Sequence, residues 1–183
     1  CPPPPPTVSS NSPVCENSTL NLSTTMSGAT SCNWSGPNGF TSTSSSPSIS
    51  NVSLAAAGTY YVTVTASNGL TAGGSTTVTV HPTFTAGAIA STGETICYGT
   101  VPTTTIGSNS NASGGDGNIT YRWQYSTVSN FSSGVTTLSI NTPTYKPTQT
   151  LTQTTYYRRQ AHDGLCNTSW ATSSNVWAVT VVP

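Results

Sequence analysis

The same order of residues occurs twice in this chain. In each half a cysteine is followed by a tryptophan in a strand-like run, by Thr-Tyr-Tyr, by a residue-glycine pair and by a β-branched closing run. The first copy comprises Cys15, Trp34 and residues 59–61, 68–69 and 75–80, and the second comprises Cys97, Trp123 and residues 155–157, 163–164 and 175–181. Because repetition at this period marks tandem modules, function is to be sought in the array and its surface.

The repeat divides the chain of 183 residues into two predicted domains. We predict a proline-rich linker at residues 1–6, one domain at 7–82 and another at 83–183. The five prolines after Cys1 favour polyproline II, which would make a stiff spacer outside the fold. The chain opens without a signal peptide, which we interpret as a processed protein or, preferably, a fragment of a longer one.

The surface is expected to be polar but almost uncharged. Only 4% of residues are charged, against roughly 25% in an average soluble domain. Such a surface cannot steer a polyanion, so we expect neither nucleic-acid binding nor binding to anionic membranes. The sequence also has no apolar run of 18 residues, which excludes a membrane-spanning helix and predicts no membrane insertion.

Short strand-like runs predict an all-β fold. Alternating runs flank Asn68-Gly69, a strong hairpin signal, and no apolar pattern holds a helical period beyond a single turn. Residues 56–62 resemble the immunoglobulin signature around the sixth strand, in which Tyr60 would anchor a corner and Trp34 would be the core tryptophan. Val62 stands where an antibody domain has its second core cysteine. We therefore predict two tandem Ig-like/PKD-like antiparallel β-sandwiches.

The second copy supplies the other predicted core residues. Trp123 shares a strand face with two tyrosines, and Tyr156 matches Tyr60 in the repeated Thr-Tyr-Tyr run. Arg122 then falls on the outer face of its strand, where Arg158 or Arg159 from a neighbouring strand would join it.

The candidate ligand contacts are Trp170 and the three arginines Arg122, Arg158 and Arg159. Trp170 lies outside the regular alternation, and an exposed indole suits either stacking on a sugar ring or packing on a neighbouring domain.

No catalytic constellation is recognisable in the sequence. The two histidines and four acidic residues are scattered, without a nucleophile–base pair or a metal-binding spacing. We therefore expect a protein that is not an enzyme, with no cofactor and no metal site. A calcium site built mainly from carbonyl oxygens stays open as an alternative.

Residues 34–40, 47–52 and 57–60 resemble the repeats of Bacteroidetes cell-surface proteins, and residues 121–124 and 151–159 look like a sister repeat. The resemblance is to SprB-type gliding-motility adhesins and related PKD/Ig-like repeat proteins exported by type IX secretion. It implies an extracellular, surface-attached protein with many tandem domains. The implied partners are neighbouring repeats of the same polypeptide and a surface or polysaccharide.

The resemblance also implies disulfides. In such repeats a cysteine after the late hairpin pairs with the early one, which implies Cys97–Cys166; the first copy departs from this pattern and leaves Cys15–Cys32 as the guess. Cys1 would pair with a preceding domain or be an acylated residue. Five cysteines without a Cys-x-x-Cys spacing favour an oxidising compartment.

Three functions follow from these observations. The first is a non-catalytic repeat segment of a large surface adhesin or filament that spaces and displays a binding surface. The second is a carbohydrate-binding or spacer module of a secreted enzyme, and the third is a subunit of a fibre or sheath that assembles through exposed sheet edges.

Overall fold

A computed structural model describes residues 2–183. The predicted all-β fold is confirmed: strands dominate, and the helices of the described part are two single 3₁₀ turns, Pro37–Gly39 and Leu54–Ala56. The chain forms two compact units, the first ending at Thr83 and the second covering Phe84–Pro183. No helix among residues 2–183 has the length and hydrophobicity needed to cross a bilayer.

Nine strands form the first unit. They are β1 (Val8–Ser10), β2 (Val14–Cys15), β3 (Leu20–Thr24), β4 (Ser31–Ser35), β5 (Thr41–Ser42), β6 (Ser48–Ile49), β7 (Gly58–Thr65), β8 (Thr71–Val78) and β9 (Val80–His81). A three-stranded sheet has the order β1-β3-β6 and a four-stranded sheet has the order β5-β4-β7-β8, all antiparallel. A short parallel pair, β2-β9, completes the unit.

The core of the first unit forms because its strands alternate apolar and polar side chains. In β7 the inward positions are Tyr60, Val62 and Val64, which pack around Trp34 of β4. The Tyr60 hydroxyl donates to the carbonyl oxygen of Ala56 at 2.8 Å, which is the tyrosine corner of Ig-like sandwiches. The two sheets therefore close over one apolar layer.

The proline run differs from its expected place. Pro3 is buried, and a side chain added at Gly74 of β8 would come within 3.2 Å of the Pro6 carbonyl oxygen. The run thus lies against the first unit instead of standing outside the fold as a spacer.

Eight strands form the second unit. They are β10 (Ala88–Ile89), β11 (Glu94–Cys97), β12 (Ser108–Ser110), β13 (Thr120–Ser126), β14 (Thr136–Leu138), β15 (Thr155–His162), β16 (Ala171–Thr172) and β17 (Trp177–Val182). The main sheet has the order β11-β17-β15-β13-β14, with β16 also paired to β15, and β10 pairs with β12. Its core surrounds Trp123, which is fully buried.

The inward tyrosine of the second unit is Tyr157, and Tyr156 is only half-buried. The expectation that Tyr156 belongs to the core is therefore wrong by one residue. Register gives the reason: Val62 lies opposite Trp34, whereas Arg159 lies opposite Trp123. Two positions before Val62 on the same strand face is Tyr60, and two positions before Arg159 is Tyr157.

The cysteines also differ from expectation. Cys15 and Cys166 are both disulfide-bonded, whereas Cys32 is a buried free thiol and Cys97 an exposed one. Each predicted pair, Cys15–Cys32 and Cys97–Cys166, contains one free thiol, so both pairings are wrong. Cys1 lies outside the described residues, and so do the two roles expected for it.

Strand register explains why Cys15 and Cys32 do not pair. Cys32 lies opposite Val64, which in turn lies opposite Ala72 near the start of β8. Cys15 lies opposite His81, which follows Ala72 by nine residues along β8 and β9. Nine extended residues span about 30 Å, far more than the roughly 7 Å between Cα atoms that a disulfide tolerates.

Cys97 and Cys166 lie beyond opposite ends of β17. Cys97 pairs with Val182, at the last residue of that strand. Tyr157 pairs with Trp177, at its first residue, and from there β15 continues away from Val182 before the chain reaches Cys166. The repeated Xaa-Gly hairpins correctly locate the turns, but they do not fix which strand ends meet.

We predict that iodoacetamide labels Cys97 in the native protein and labels Cys32 only after denaturation. Cys97 is exposed, whereas Cys32 is buried and donates to the Thr43 carbonyl oxygen, and burial raises the pKa of its thiol. Peptide mass mapping after labelling measures both sites. Native labelling of Cys32 at the rate of Cys97, or labelling of unreduced Cys15 or Cys166, would contradict the assignment.

Candidate functional site

The outer face of the main sheet in the second unit carries the candidate site. Arg122 and Gln124 of β13 alternate with the buried Trp123, and Arg158 and Gln160 of β15 lie opposite them in the register pairs Arg122–Gln160 and Gln124–Arg158. Arg122 donates from Nε to Oε1 of Gln160 at 2.8 Å, and Arg158 donates from Nε to Oε1 of Gln124 at 2.8 Å. We call these four residues the arginine–glutamine ladder.

Two threonines extend the arginine–glutamine ladder to the flanking strands. Gln124 donates from Nε2 to the Thr137 hydroxyl of β14 at 2.9 Å, and Gln160 donates from Nε2 to the Thr172 hydroxyl of β16 at 3.0 Å. Both glutamines are thereby buried with their polar groups bonded, at 6% and 7% exposure. The bonds hold each arginine at Nε, and its terminal nitrogens donate to no other residue among 2–183.

Each ladder arginine also stacks on an aromatic ring. Cζ of Arg122 lies 4.3 Å from the ring centroid of Trp170, and Cζ of Arg158 lies 4.3 Å from that of Phe131. His162 packs edge-on against Trp170, with ring centroids 4.3 Å apart. The structure therefore brings together three of the four predicted contacts, Trp170, Arg122 and Arg158.

Phe131 is a member of this face that the sequence does not reveal. Its backbone φ is +56°, a left-handed conformation that is unfavourable for a bulky side chain by roughly 1–2 kcal/mol. Packing of its buried ring beneath Arg158 offsets that cost. No pattern in the Ser- and Gly-rich loop around Phe131 predicts this contact. Gln160, by contrast, follows from alternation, because it lies two residues after Arg158 on the same strand face.

Arg159 is not a ligand contact, which corrects the fourth predicted residue. Its side chain points to the opposite face of the sheet and is fully buried. Alternation is the reason, because neighbours on a strand face opposite sides and Arg158 already occupies the outer face.

All five N–H donors of the Arg159 guanidinium have partners. Nε donates to the Ser173 hydroxyl at 2.9 Å, and Nη1 donates to the Ser108 hydroxyl and the Pro143 carbonyl oxygen, both at 2.8 Å. Nη2 donates to the carbonyl oxygens of Ala86 at 3.1 Å and Ser110 at 2.9 Å. An arginine has five such donors, so none is left unsatisfied in the core.

The Arg159 guanidinium is a charged group in the core, because arginine keeps its proton in proteins. Burial lowers its pKa, and the nearby Tyr121 ring, whose centroid lies 5.1 Å from Cζ, acts in the opposite direction. A charged, fully bonded guanidinium thus connects β12, β15 and the segments around Ala86, Pro143 and Ser173.

A groove opens beside the arginine–glutamine ladder. Its volume is about 300 Å³, and among the residues that line it are Thr120, Arg122, Thr137, Ser139, Asn141 and Trp170. The Asn141 side chain is oriented by accepting the Tyr121 backbone N–H at its Oδ1, at 2.7 Å. The groove therefore combines hydroxyls, an amide, a guanidinium and an indole edge.

Two acidic side chains, Glu94 and Asp163, accept hydrogen bonds from backbone N–H groups. Glu94 accepts from the backbone N–H groups of Thr103 and Thr104; burial acts to raise its pKa, but these hydrogen bonds outweigh burial and lower it. Asp163 is fully buried and accepts backbone N–H groups of its own hairpin and of Asp116. Among residues 2–183, no group of three or more His, Cys, Asp or Glu is placed to hold a metal ion.

The second unit matches a family model described as Domain of unknown function (DUF8696), over residues 85–183. That match covers more than half of the chain. The chain belongs to this family. No curated protein matches the sequence.

Solved structures show the fold of this DUF8696 protein to be Ig-like. It is similar to the three N-terminal domains of the bacteriophage RB49 Highly Immunogenic Outer Capsid protein (TM-score 0.62, 15% identity, 98% of this chain and 71% of that one). It is also similar to the N-terminal eight Ig domains of Down Syndrome Cell Adhesion Molecule (0.65, 14%, 98% and 25%) and to titin fragment I67–I69 (0.55, 13%, 97% and 65%). These neighbours are adhesion or structural proteins and not enzymes.

We predict that Arg159→Met lowers the free energy of unfolding of the second unit by about 3 kcal/mol or more, because the five hydrogen bonds of a buried guanidinium are lost together. Arg158→Met, one residue away on the outer face, should cost about 1 kcal/mol or less. Urea denaturation followed by tryptophan fluorescence measures both. Equal losses for the two variants would contradict the structural role of Arg159.

Proposed function

We propose that this chain is a non-catalytic segment of a large extracellular protein, an adhesin or filament that displays binding surfaces on Ig-like modules in series. One observation carries the proposal: the chain builds two Ig-like units, each with its own apolar core, and covers them with a surface almost free of charge. Modules of this kind serve as spacers because each folds on its own core.

The proposed extracellular location rests on the disulfide-bonded cysteines and on the similar solved structures. Disulfide-bonded Cys15 and Cys166 are typical of proteins that leave the reducing cytosol. Serial Ig domains of a cell adhesion molecule and domains of an outer capsid protein supply precedents for display at a surface. Neighbouring repeats of the same polypeptide are the proposed partners.

The finer assignment comes from sequence motifs. We propose that the parent protein is a Bacteroidetes surface protein of the SprB type, exported by type IX secretion and used in attachment or gliding motility. The motifs at residues 34–40, 57–60 and 151–159 support this proposal.

The proposal predicts a large, protease-accessible protein on the source cells. Intact cells would be treated with proteinase K and immunoblotted with an antibody to this chain, with a cytoplasmic protein as the control for lysis. A band of several hundred kilodaltons that disappears on treatment, while the control persists, is the expected result. A band near 18.7 kDa, the mass of this chain alone, or a band that resists the protease would overturn the proposal.

A further inference from the structure

The two ladder arginines form an unusual concentration of charge. The chain has only four lysines and arginines in total, and Arg122 and Arg158 lie diagonally across two paired strands. Diagonal neighbours on a sheet face are about 7–8 Å apart at Cα. Burial lowers the pKa of Arg158, and the charge of Arg122 lowers it further. The two guanidinium groups thus repel each other across the face.

Neither Arg122 nor Arg158 forms an ion pair with a carboxylate among residues 2–183. Arg122 and Arg158 have Nε bonded to glutamine, and their terminal nitrogens have no hydrogen-bond partner in the described part of the chain. Glu94 and Asp163 are committed to backbone amides elsewhere. Guanidinium groups that are held at Nε and stacked on a ring are oriented to bind a planar anion in two-point fashion.

The groove next to Arg122 has the chemistry of a sugar site. Ser139 and Thr137 supply hydroxyls, and the Asn141 amide nitrogen has no partner among residues 2–183, since only its oxygen is bonded. Trp170 adds the apolar edge of its indole, since Arg122 stacks over its ring and His162 packs against it. A volume of about 300 Å³ lies at the lower end of the range for small-ligand sites.

We propose that this groove binds a carboxylated saccharide, with the sugar carboxylate on Arg122, its hydroxyls on Ser139 and Asn141, and its ring against Trp170. Arg158 lies one diagonal step further and would receive the carboxylate of an adjoining sugar in a polymer. The inference deepens the proposed function and rests on it, because it names the ligand class of a surface that the modules display.

An acidic peptide would satisfy the arginines but not the groove. Glutamate side chains carry the same charge, yet they lack the ring and the hydroxyls that Trp170, Ser139 and Asn141 are placed to meet. A neutral sugar would fill the groove but leave Arg122 uncompensated. The combination of groove and charge therefore favours an acidic saccharide over either alternative.

Isothermal titration of the whole chain with oligogalacturonate tests the proposal. Arg122→Gln should weaken binding about tenfold or more, since a charge-assisted hydrogen bond contributes roughly 1.5–3 kcal/mol. Lys146→Gln is the matched control, because it removes the same charge from an exposed position outside the groove and should leave affinity unchanged within twofold. Ser139→Tyr fills the groove from an exposed position while keeping Arg122, and should also abolish binding.

Three results would overturn the proposal. They are no binding by the unmodified chain, equal binding of the methyl-esterified oligomer or of poly-glutamate, and equal weakening by Lys146→Gln and Arg122→Gln. Circular dichroism of each variant would show that its fold is retained. The titration is independent of the cell-shaving blot, so absence of binding together with a large shaved band would remove the ligand assignment and keep the display role.

Discussion

The second unit depends on a buried cation. Arg159 lies opposite the core tryptophan and two residues after the inward tyrosine, the position at which antibody domains place the second cysteine of their intersheet disulfide. In the first unit the same position is Val62, which simply packs. The guanidinium instead connects segments through five hydrogen bonds, and a buried charge is tolerated only when it is so fully bonded. The position opposite the core tryptophan is therefore filled by an apolar valine in the first unit and by a hydrogen-bonded arginine in the second.

The inward position of Arg159 also determines which side chains lie on the outer face of the sheet. Since Arg159 is fixed inward, its neighbours Arg158 and Gln160 on β15 must face outward, where they meet Gln124 and Arg122 of β13. The buried guanidinium thus holds the strand whose other face carries the arginine–glutamine ladder. The buried Arg159 and the ladder residue Arg158 are therefore neighbours on one strand whose side chains lie on opposite faces of the sheet.

Much of the fold is readable from the sequence because alternation and turn residues are local signals. Hairpin residues and the Trp34 and Tyr60 pattern indicate Ig-like sandwiches, and Arg122 is correctly placed on an outer face. The one-residue shift between Tyr60 and Tyr157 is not readable, because the repeated Thr-Tyr-Tyr run looks identical in both copies and only strand pairing reveals the register. The inward turn of Arg159 and the disulfide partners are missed for the same reason: both depend on contacts between residues distant in sequence.

The most direct test of the central claim is an NMR measurement of the arginine side chains in the isotopically labelled chain. If the Arg159 guanidinium is saturated and buried, its Nη protons should give separate signals that exchange slowly with water. The terminal protons of Arg122 and Arg158, which lack partners among residues 2–183, should average and exchange rapidly. Rapid exchange at Arg159, equal to that of the two outer arginines, would show that its guanidinium does not connect the segments of the second unit through stable hydrogen bonds.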